Sequence, residues 1–261
     1  MPAALPPSPD DSADTPSSCP YPSLAPPVSV RLTVLPRHPC PYLPDRPAQT
    51  RAFLADHLPG VLYHNFMDAN FRRSGNLIYQ PVCPGCRQCC TLRVPVEKFQ
   101  SNKSQRRCAR LNHDLTVEMN HPASTDENWL LYQRYQGEWH GTAKEDRAAF
   151  EDFLYSSPVD SVEFTYRDAK GVLLAVGICD VCPKSLSSVY FFFDPAAAKR
   201  RLGVYGALQE ISVALKLGIP YYYLGYWVKD SPSMAYKASF RPCEVLQPDG
   251  QWQNCPSELM D

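Results

Sequence analysis

Alternating hydrophobic and polar positions divide the chain into short segments with the period of strands, separated by turns rich in proline and charge. In the first 100 residues this pattern predicts four strands, at 30–34, 61–64, 76–80 and 91–96. The composition of 50–58 predicts a helix. Two connections are predicted as a proline-punctuated turn segment at 36–47 and a loop at 71–75.

The pattern changes to the period of helices after residue 100 and returns to strands near residue 161. Helices are predicted at 101–112, 126–137 and 145–155, with Ser124 or Thr125 as a cap for the second. Strands at 162–167 and 172–178 flank a hairpin turn, and a third strand is predicted to end at Phe193.

A strand-helix-strand unit closes the pattern. The strand that ends at Phe193 leads to a helix at 202–217, which Gly218 and Pro220 stop, and a strand at 221–227 follows. Connection rules place the two strands parallel or splayed. Because an antiparallel meander precedes this unit, we expect an α+β acyltransferase fold of the N-acetyltransferase (GNAT) type.

The composition divides the chain into three parts. Residues 1–28 are dense in proline and serine and predict a disordered tail. A smaller cysteine-containing region is expected at 29–112, and the acyltransferase-like domain at 113–255.

Charge and hydropathy narrow the function only slightly. The chain has 26 Lys and Arg against 27 Asp and Glu, so any RNA contact must come from local basic patches. It shows no apolar run of about 20 residues and no signal peptide, which predicts a cytoplasmic protein without a membrane partner. We expect no DNA partner. In a reducing compartment, the 11 cysteines are expected to be thiols or metal ligands rather than a disulfide framework.

Four of these cysteines are clustered with metal-ligand spacing. Cys83, Cys86, Cys89 and Cys90 form two overlapping C-x-x-C pairs, and Cys40 could add a further ligand. Such thiolates would suit zinc or an iron–sulfur cluster. The alternative is a group of buried, reduced thiols.

The turn before the helix at 202–217 only partly matches the pyrophosphate-binding pattern of acyl-CoA enzymes. Gly203 and Gly206 are present, yet Tyr205 is expected to obstruct a close approach by the diphosphate, which argues against a CoA donor. The glycines could instead permit close helix packing. Cations at a helix start oppose the helix dipole, so they would more readily face an anion such as a tRNA phosphate: Lys199, Arg200 and Arg201.

Eight motifs in order resemble the aminoacyl-tRNA–protein transferases of the arginyltransferase superfamily, in particular the bacterial aspartate/glutamate leucyltransferases. They are Phe71-Arg72-Arg73-Ser74-Gly75, Tyr79-Gln80-Pro81-Val82-Cys83, Gln105-Arg106-Arg107, Asn112-His113-Asp114-Leu115, Leu131-Tyr132-Gln133-Arg134-Tyr135-Gln136, Phe192-Phe193-Asp194-Pro195, Leu224-Gly225-Tyr226-Trp227 and Met234-Ala235-Tyr236-Lys237-Ala238-Ser239-Phe240-Arg241-Pro242. The resemblance implies transfer of leucine from leucyl-tRNA to proteins that begin with Asp or Glu, which marks them for N-degron degradation, and it implies no cofactor for the chemistry.

Such a reaction needs cations that bind the acceptor carboxylate. Lys237 and Arg241 are the leading candidates, because residues four apart share one face of a helical turn, and Arg72 is a third. Asp194 and Glu163 are the candidate catalytic acids, although a capping role and a solvent-facing role are the respective alternatives.

Aromatic and basic residues complete the expected site. The strands bordering the cleft supply residues for the leucyl group or the terminal adenine of tRNA, with core packing as the alternative: Tyr190, Tyr226 and Trp227. One helical face supplies phosphate contacts: Arg106, Arg107 and Arg110.

Three other functions stay open at this stage. An arginyl-tRNA donor would require a donor pocket ringed by carboxylates, whereas leucine would require an apolar one. An acyl-CoA N-acyltransferase of the same fold and a non-catalytic RNA-binding module are the other two.

Overall fold

A computed structural model describes residues 29–142 and 145–255, so the predicted tail at 1–28 lies outside the described residues. The strands are β1 Thr33–Val34, β2 His38–Pro39, β3 Pro47–Ala48, β4 Thr50–Leu54, β5 Arg72–Ser74, β6 Leu77–Pro81, β7 Cys90–Pro95, β8 Thr116–Asn120, β9 Ser161–Arg167, β10 Leu173–Cys182, β11 Ser185–Phe193, β12 Tyr221–Trp227, β13 Glu244–Leu246 and β14 Trp252–Asn254. The helices are α1 Gly60–Asp68, α2 Lys103–Leu111, α3 Asp126–Arg134, α4 Arg147–Leu154, α5 Leu202–Lys216 and α6 Pro232–Ala235.

An eight-stranded sheet forms the centre of the molecule, in the order β14-β13-β7-β12-β11-β10-β9-β8. Its paired strands are antiparallel except β11 and β12, which are parallel and pair only from Ser185↔Tyr221 to Ser187↔Tyr223. Beyond Ser187, the described residues pair β11 with β10 and β12 with β7, and no longer with each other. The predicted parallel, splayed strand pair is therefore confirmed, and the two strands open a cleft where their pairing ends.

Helices cover both faces of this sheet, because its strands are apolar on both sides. In β10, Leu174, Ala175 and Cys179 belong to the apolar cluster beneath α5, whereas Val176 and Ile178 belong to the cluster beneath α3 and α4. A central sheet covered in this way buries nearly continuous apolar runs. The mixture of helices and β-strands that the expected α+β class contains is confirmed.

The amino-terminal region contains a four-stranded sheet in the order β1-β4-β6-β5, packed with α1. Three predictions were wrong here. The segment 50–58 is not a helix, because Thr50–Leu54 pairs with β6 as strand β4. The segment 61–64 is not a strand but part of α1, whose buried residues Tyr63, His64, Phe66 and Met67 follow helical spacing. The expected loop at 71–75 contains β5, which pairs with β6.

The longer predicted elements are confirmed. Helix α2 begins after Asn102, whose side chain forms a reciprocal capping box with Gln105. Helix α3 begins after the Thr125 cap and continues into a π-helical turn, Tyr135–Trp139. Strand β7, from the predicted amino-terminal region, lies inside the large sheet between β12 and β13. The division of the chain at residue 112 stays a prediction.

The cysteines need one correction. Cys243 and Cys255 were expected to be reduced, but the structure joins them by a disulfide across 12 residues. Within the described ranges, no helix is long and apolar enough to cross a membrane.

Candidate functional site

A cleft of about 760 Å³ opens where β11 and β12 separate. Its walls come from these two strands, the start of α5, the π-helical turn with His140, and residues 233–237. Strand β5 adds Arg72 and Arg73 from the smaller sheet. A cleft between splayed parallel strands is a common place for ligand binding in such sheets.

Arg72 presents a buried cation to this cleft and has no carboxylate partner in the part of the chain that the structure describes. Its Nη1 donates to Ser187 Oγ at 3.2 Å and contacts Met67 Sδ at 3.2 Å. Its guanidinium carbon lies 5.8 Å from the centre of the Tyr223 ring. Among the described residues, Nη2 is buried and has no hydrogen-bond partner. An unpaired donor of this kind is costly unless a ligand meets it.

Lys237 lies beside Arg72. Its Nζ donates to the Tyr226 carbonyl oxygen at 2.9 Å. Burial, and then the charge of Arg72, lower the pKa of this amine to about 7. Both side chains reach over Gly225, where an added Cβ would lie 3.2 Å from Arg72 Nη2 and 3.5 Å from Lys237 Nζ. Gly225 has φ +84°, a backbone conformation that favours glycine, and any larger residue would crowd Arg72 Nη2 at this point.

Arg241 does not share this position. The prediction that Lys237 and Arg241 share one helical face was wrong, because the 3₁₀ turn Tyr236–Ser239 ends before Arg241. Arg241 Nη1 donates to the Cys255 carbonyl oxygen at 3.2 Å, and the residue lines a separate depression beside the disulfide. The structure therefore joins Lys237 with Arg72 rather than with Arg241.

The expected aromatic residues divide between the cleft and the core. Tyr190 lines the cleft, and its hydroxyl accepts from Gln136 Nε2 at 2.7 Å. Tyr226 also lines the cleft, and its hydroxyl donates to the Asn70 carbonyl oxygen at 3.0 Å. Trp227 belongs to the apolar core instead, which agrees with the alternative of core packing.

The two expected catalytic acids lie outside the cleft lining. Asp194 accepts from the Ala196 amide at 3.0 Å and thereby caps the 3₁₀ turn that follows. Its other carboxylate oxygen lies 3.2 Å from Arg134 Nη1.

Glu163 is buried and not solvent-facing. Asn128 Nδ2 donates to its carboxylate at 3.0 Å and the Tyr155 hydroxyl donates at 3.1 Å. Burial raises the pKa of this carboxyl, and the hydrogen bonds oppose the rise. These contacts describe an acid that ties β9 to α3 and residue 155, and they give no geometric support to a catalytic role.

Glu210 is a cleft residue that the sequence reasoning missed. It is the one carboxylate among the described residues that line the cleft, and it is 1% exposed. The Tyr222 hydroxyl donates to it, and burial raises the pKa of the carboxyl. The available signal was its spacing: Glu210 follows Gly203 and Gly206 on the face of α5 that packs on the sheet, where an acid is unusual.

The start of α5 corrects one argument about the donor. Tyr205 is 5% exposed and packs in the core against Tyr166, so its side chain does not obstruct the turn. A Cβ at Gly206 would lie 2.2 Å from the Phe191 ring. Gly206 is therefore required by close packing of α5 on β11, as the alternative interpretation held.

Most of the expected tRNA-binding cations lie on the exposed surface, and one of them, Arg201, lines the cleft. Arg106, Arg107 and Arg110 are exposed on α2, and Lys199 is exposed before α5. Arg200 is held by both oxygens of Asp114 at 2.9 Å, so part of its charge is neutralised. Arg201 lines the cleft and donates to Ser104 Oγ of α2 at 2.8 Å.

The structure gives no support to the metal centre expected at the clustered cysteines. No group of ligands able to hold a metal occurs among residues 29–142 and 145–255. Burial and neighbouring cysteines raise the pKa of Cys89 to about 12, and burial with Cys86 raises that of Cys90 to about 11. The zinc or iron–sulfur prediction at Cys40, Cys83, Cys86, Cys89 and Cys90 is not confirmed.

Comparison with known proteins agrees with the motifs. Residues 38–107 match the family model "Arginine-tRNA-protein transferase, N terminus", and residues 127–247 match the corresponding C terminus. The chain belongs to this family. The family resemblance and the interpretation as a transferase are confirmed.

Individual relatives are similar over most of their length. The aspartate/glutamate leucyltransferase of Halorhodospira halophila is 42% identical over 219 residues, 82% of this chain and 92% of that protein. That of Thiobacillus denitrificans is 41% identical over 218 residues, 82% and 90% of the two chains. A solved lysylphosphatidylglycerol synthetase domain from Agrobacterium fabrum, described as putative, has a TM-score of 0.47 at 14% identity, covering 78% of this chain and 65% of that one. That last likeness is too distant to support a functional statement.

Proposed function

We propose that this chain transfers leucine from leucyl-tRNA to the amino terminus of proteins that begin with Asp or Glu. The curated relatives named above carry the name of this activity. The observation that carries the proposal is the approach of Arg72 Nη2 and Lys237 Nζ over Gly225, without a carboxylate partner within the described residues. A carboxylate on the first acceptor side chain is the anion that these two donors fit.

The chemistry asks little of the protein beyond positioning. The neutral α-amine of the acceptor attacks the ester carbonyl of the donor, the bond to the ribose oxygen breaks, and an amide forms. The proton lost by the amine goes to the released ribose hydroxyl. Because the ester is already activated, holding the amine near the carbonyl supplies most of the effect. Binding the acceptor carboxylate at Arg72 and Lys237 fixes one end of that arrangement.

The lining of the cleft favours leucine over arginine as the donor. An arginyl side chain would need carboxylates around its guanidinium. Among the described lining residues Glu210 is the one carboxylate, and aromatic and aliphatic side chains form much of the remainder. An apolar side chain is therefore the better fit.

The remaining parts of the proposal follow from this activity. The splayed pair β11 and β12 with α5 between them supports an N-acetyltransferase-like core. The exposed cations of α2 and the start of α5 would contact tRNA phosphates. The transfer would take place in the cytoplasm, and the leucylated proteins would enter N-degron degradation.

One experiment tests the proposal directly. Purified protein is mixed with individually charged, radiolabelled tRNAs and with peptides that differ only at the first residue. Label should pass from leucyl-tRNA to peptides beginning with Asp or Glu, and not to the matched Asn and Gln peptides. Acetyl-CoA should give no transfer. A preference for arginyl-tRNA, or equal transfer to Asp and Asn peptides, would contradict the proposal.

A further inference from the structure

Two exposed aromatic side chains stand at the cleft. Trp139 is 52% exposed and Tyr236 is 45% exposed. Among the described residues, the other large apolar side chains that are exposed are aliphatic. Both line the cleft. Isolated exposed aliphatic residues are ordinary on a surface, but two aromatic residues exposed at one opening indicate a ligand.

Local structure holds Trp139 in this position. It is the last residue of the π-helical turn Tyr135–Trp139, and such turns are frequent at functional sites. Its ring packs on Phe193 with centroids 5.1 Å apart, and Tyr135 packs on the same Phe193 at 4.9 Å. The indole is thus supported from below by aromatic rings and half open to solvent, which is the form of a stacking platform.

Tyr236 approaches the cleft from a different element. It begins the 3₁₀ turn Tyr236–Ser239 and directly precedes Lys237, the proposed acceptor-binding cation. A third cleft residue, Arg201, brings a positive charge and contacts α2 through Ser104. Beyond Ser104, α2 carries the exposed arginines at 106, 107 and 110. Aromatic surfaces in the cleft are therefore connected to a basic surface outside it.

We infer that Trp139 and Tyr236 bind the terminal adenine of the charged tRNA by stacking, with Arg201 beside its phosphate; this inference rests on the proposed function. Every nucleobase has a flat π-face, and combined aromatic and basic surfaces are how proteins hold single-stranded ends. A path of cations along α2 suits a phosphate backbone. It does not suit an acceptor protein that begins with an acid, whose carboxylate is met deeper, over Gly225.

The test is a thermodynamic cycle that combines substitutions in the protein with removal of the terminal adenosine from the tRNA. Affinity is measured for uncharged leucine tRNA, intact and without its terminal adenosine, with the wild type, Trp139→Ala, Tyr236→Ala and the conservative Trp139→Phe. Stacking on one base contributes about 1–3 kcal/mol, which corresponds to about 5- to 150-fold in Kd. Removal of the adenosine should weaken binding to the wild type by a factor in this range. In Trp139→Ala, removal of the adenosine should weaken binding much less than in the wild type. In Trp139→Phe, it should weaken binding nearly as much as in the wild type.

The control is Leu130→Ala on α3, a residue that is 59% exposed and is not in the cleft lining. It should keep the full adenosine penalty and the wild-type melting temperature. Equal adenosine penalties in wild type and Trp139→Ala would overturn the inference. So would unchanged penalties with a raised KM for the peptide, because the two rings would then bind the acceptor protein.

Failure of this inference can be told apart from failure of the proposed function. The binding cycle uses uncharged tRNA and needs no transfer. If the wild type transfers leucine but the cycle shows no coupling, the stacking role alone is wrong. If the wild type binds no tRNA at all, both are wrong.

Discussion

Lys237→Met should stabilise the protein while it removes the preference for acidic acceptors. The substitution keeps an unbranched side chain and deletes the charge that burial disfavours. A pKa lowered from 10.5 to about 7 corresponds to about 5 kcal/mol of unfavourable charging at about 1.36 kcal/mol for each tenfold change in protonation. Lys237 is only partly buried, and solvent screening lowers that figure.

The lost hydrogen bond to the Tyr226 carbonyl opposes the gain. A hydrogen bond from a charged donor contributes about 1.5–3 kcal/mol. The net stabilisation at pH 6 should therefore be about 1–3 kcal/mol. At about 2–4 °C for each kcal/mol in a chain of this size, the melting temperature should rise by several degrees.

The pH dependence of the gain has a definite sign. Between pH 7 and 10.5 the unfolded chain binds a proton at Lys237 that the folded chain lacks, so stability of the wild type rises with pH in that window. Below pH 7 the charging penalty is present in full. The advantage of Lys237→Met should therefore be largest at pH 6 and shrink by about 2 kcal/mol between pH 7 and pH 9.

The assay compares melting temperatures of wild type, Lys237→Met and the control Lys229→Met from pH 6 to pH 9. Lys229 is exposed, so its replacement should give no pH-dependent gain. In parallel, the ratio of leucyl transfer to Asp and Asn peptides should fall at least tenfold in Lys237→Met and stay unchanged in Lys229→Met. A lower melting temperature of Lys237→Met at pH 6 with an unchanged ratio would refute the reasoning.

Four further variants test other parts of the structure. Arg72→Gln should lower the Asp-to-Asn transfer ratio by at least tenfold, about 1.4 kcal/mol in transition-state binding, measured as relative kcat/KM. Arg241→Ala should lower the melting temperature but keep that ratio, because its contact is with the Cys255 carbonyl. Gly206→Ala should destabilise the protein by about 1–3 kcal/mol, seen in denaturant unfolding, since its Cβ would meet the Phe191 ring. Combined alanine replacement of three exposed cations of α2 should weaken tRNA binding and flatten its salt dependence: Arg106, Arg107 and Arg110.

The strand-helix-strand unit could be predicted because its periodic segments are long and its boundaries are marked. Gly218 and Pro220 end α5, and the aromatic run of β12 has no helical spacing. The predictions for segments 50–58 and 61–64 were wrong because these segments are short and their boundaries are not marked. Each is short, so its type was decided by pairing of β4 with β6 and by packing of α1, which local pattern does not contain.

The candidate site also depends on tertiary contacts that the local sequence pattern does not contain. Lys237 and Arg72 were found by charge and motif, but their approach over Gly225 depends on the small sheet docking against β12. Arg241 was grouped with Lys237 on a spacing of four, which is valid only while a helix continues, and the turn ends at Ser239. Glu210 was missed because an acid within a helix is normally solvent-exposed.

Strand β7 lies in the segment that matches the amino-terminal family model, but it is part of the sheet formed by the carboxyl-terminal segment. It pairs with β12, with Pro95 opposite Tyr221, and also carries β13 and β14 on its other edge. A ribosome releases β7 well over 100 residues before its partner β12 exists, so the sheet cannot close until synthesis is nearly complete. A carboxyl-terminal fragment would leave one edge of β12 unpaired, and unpaired edges promote aggregation. Expression of residues 113–255 alone should therefore give insoluble protein.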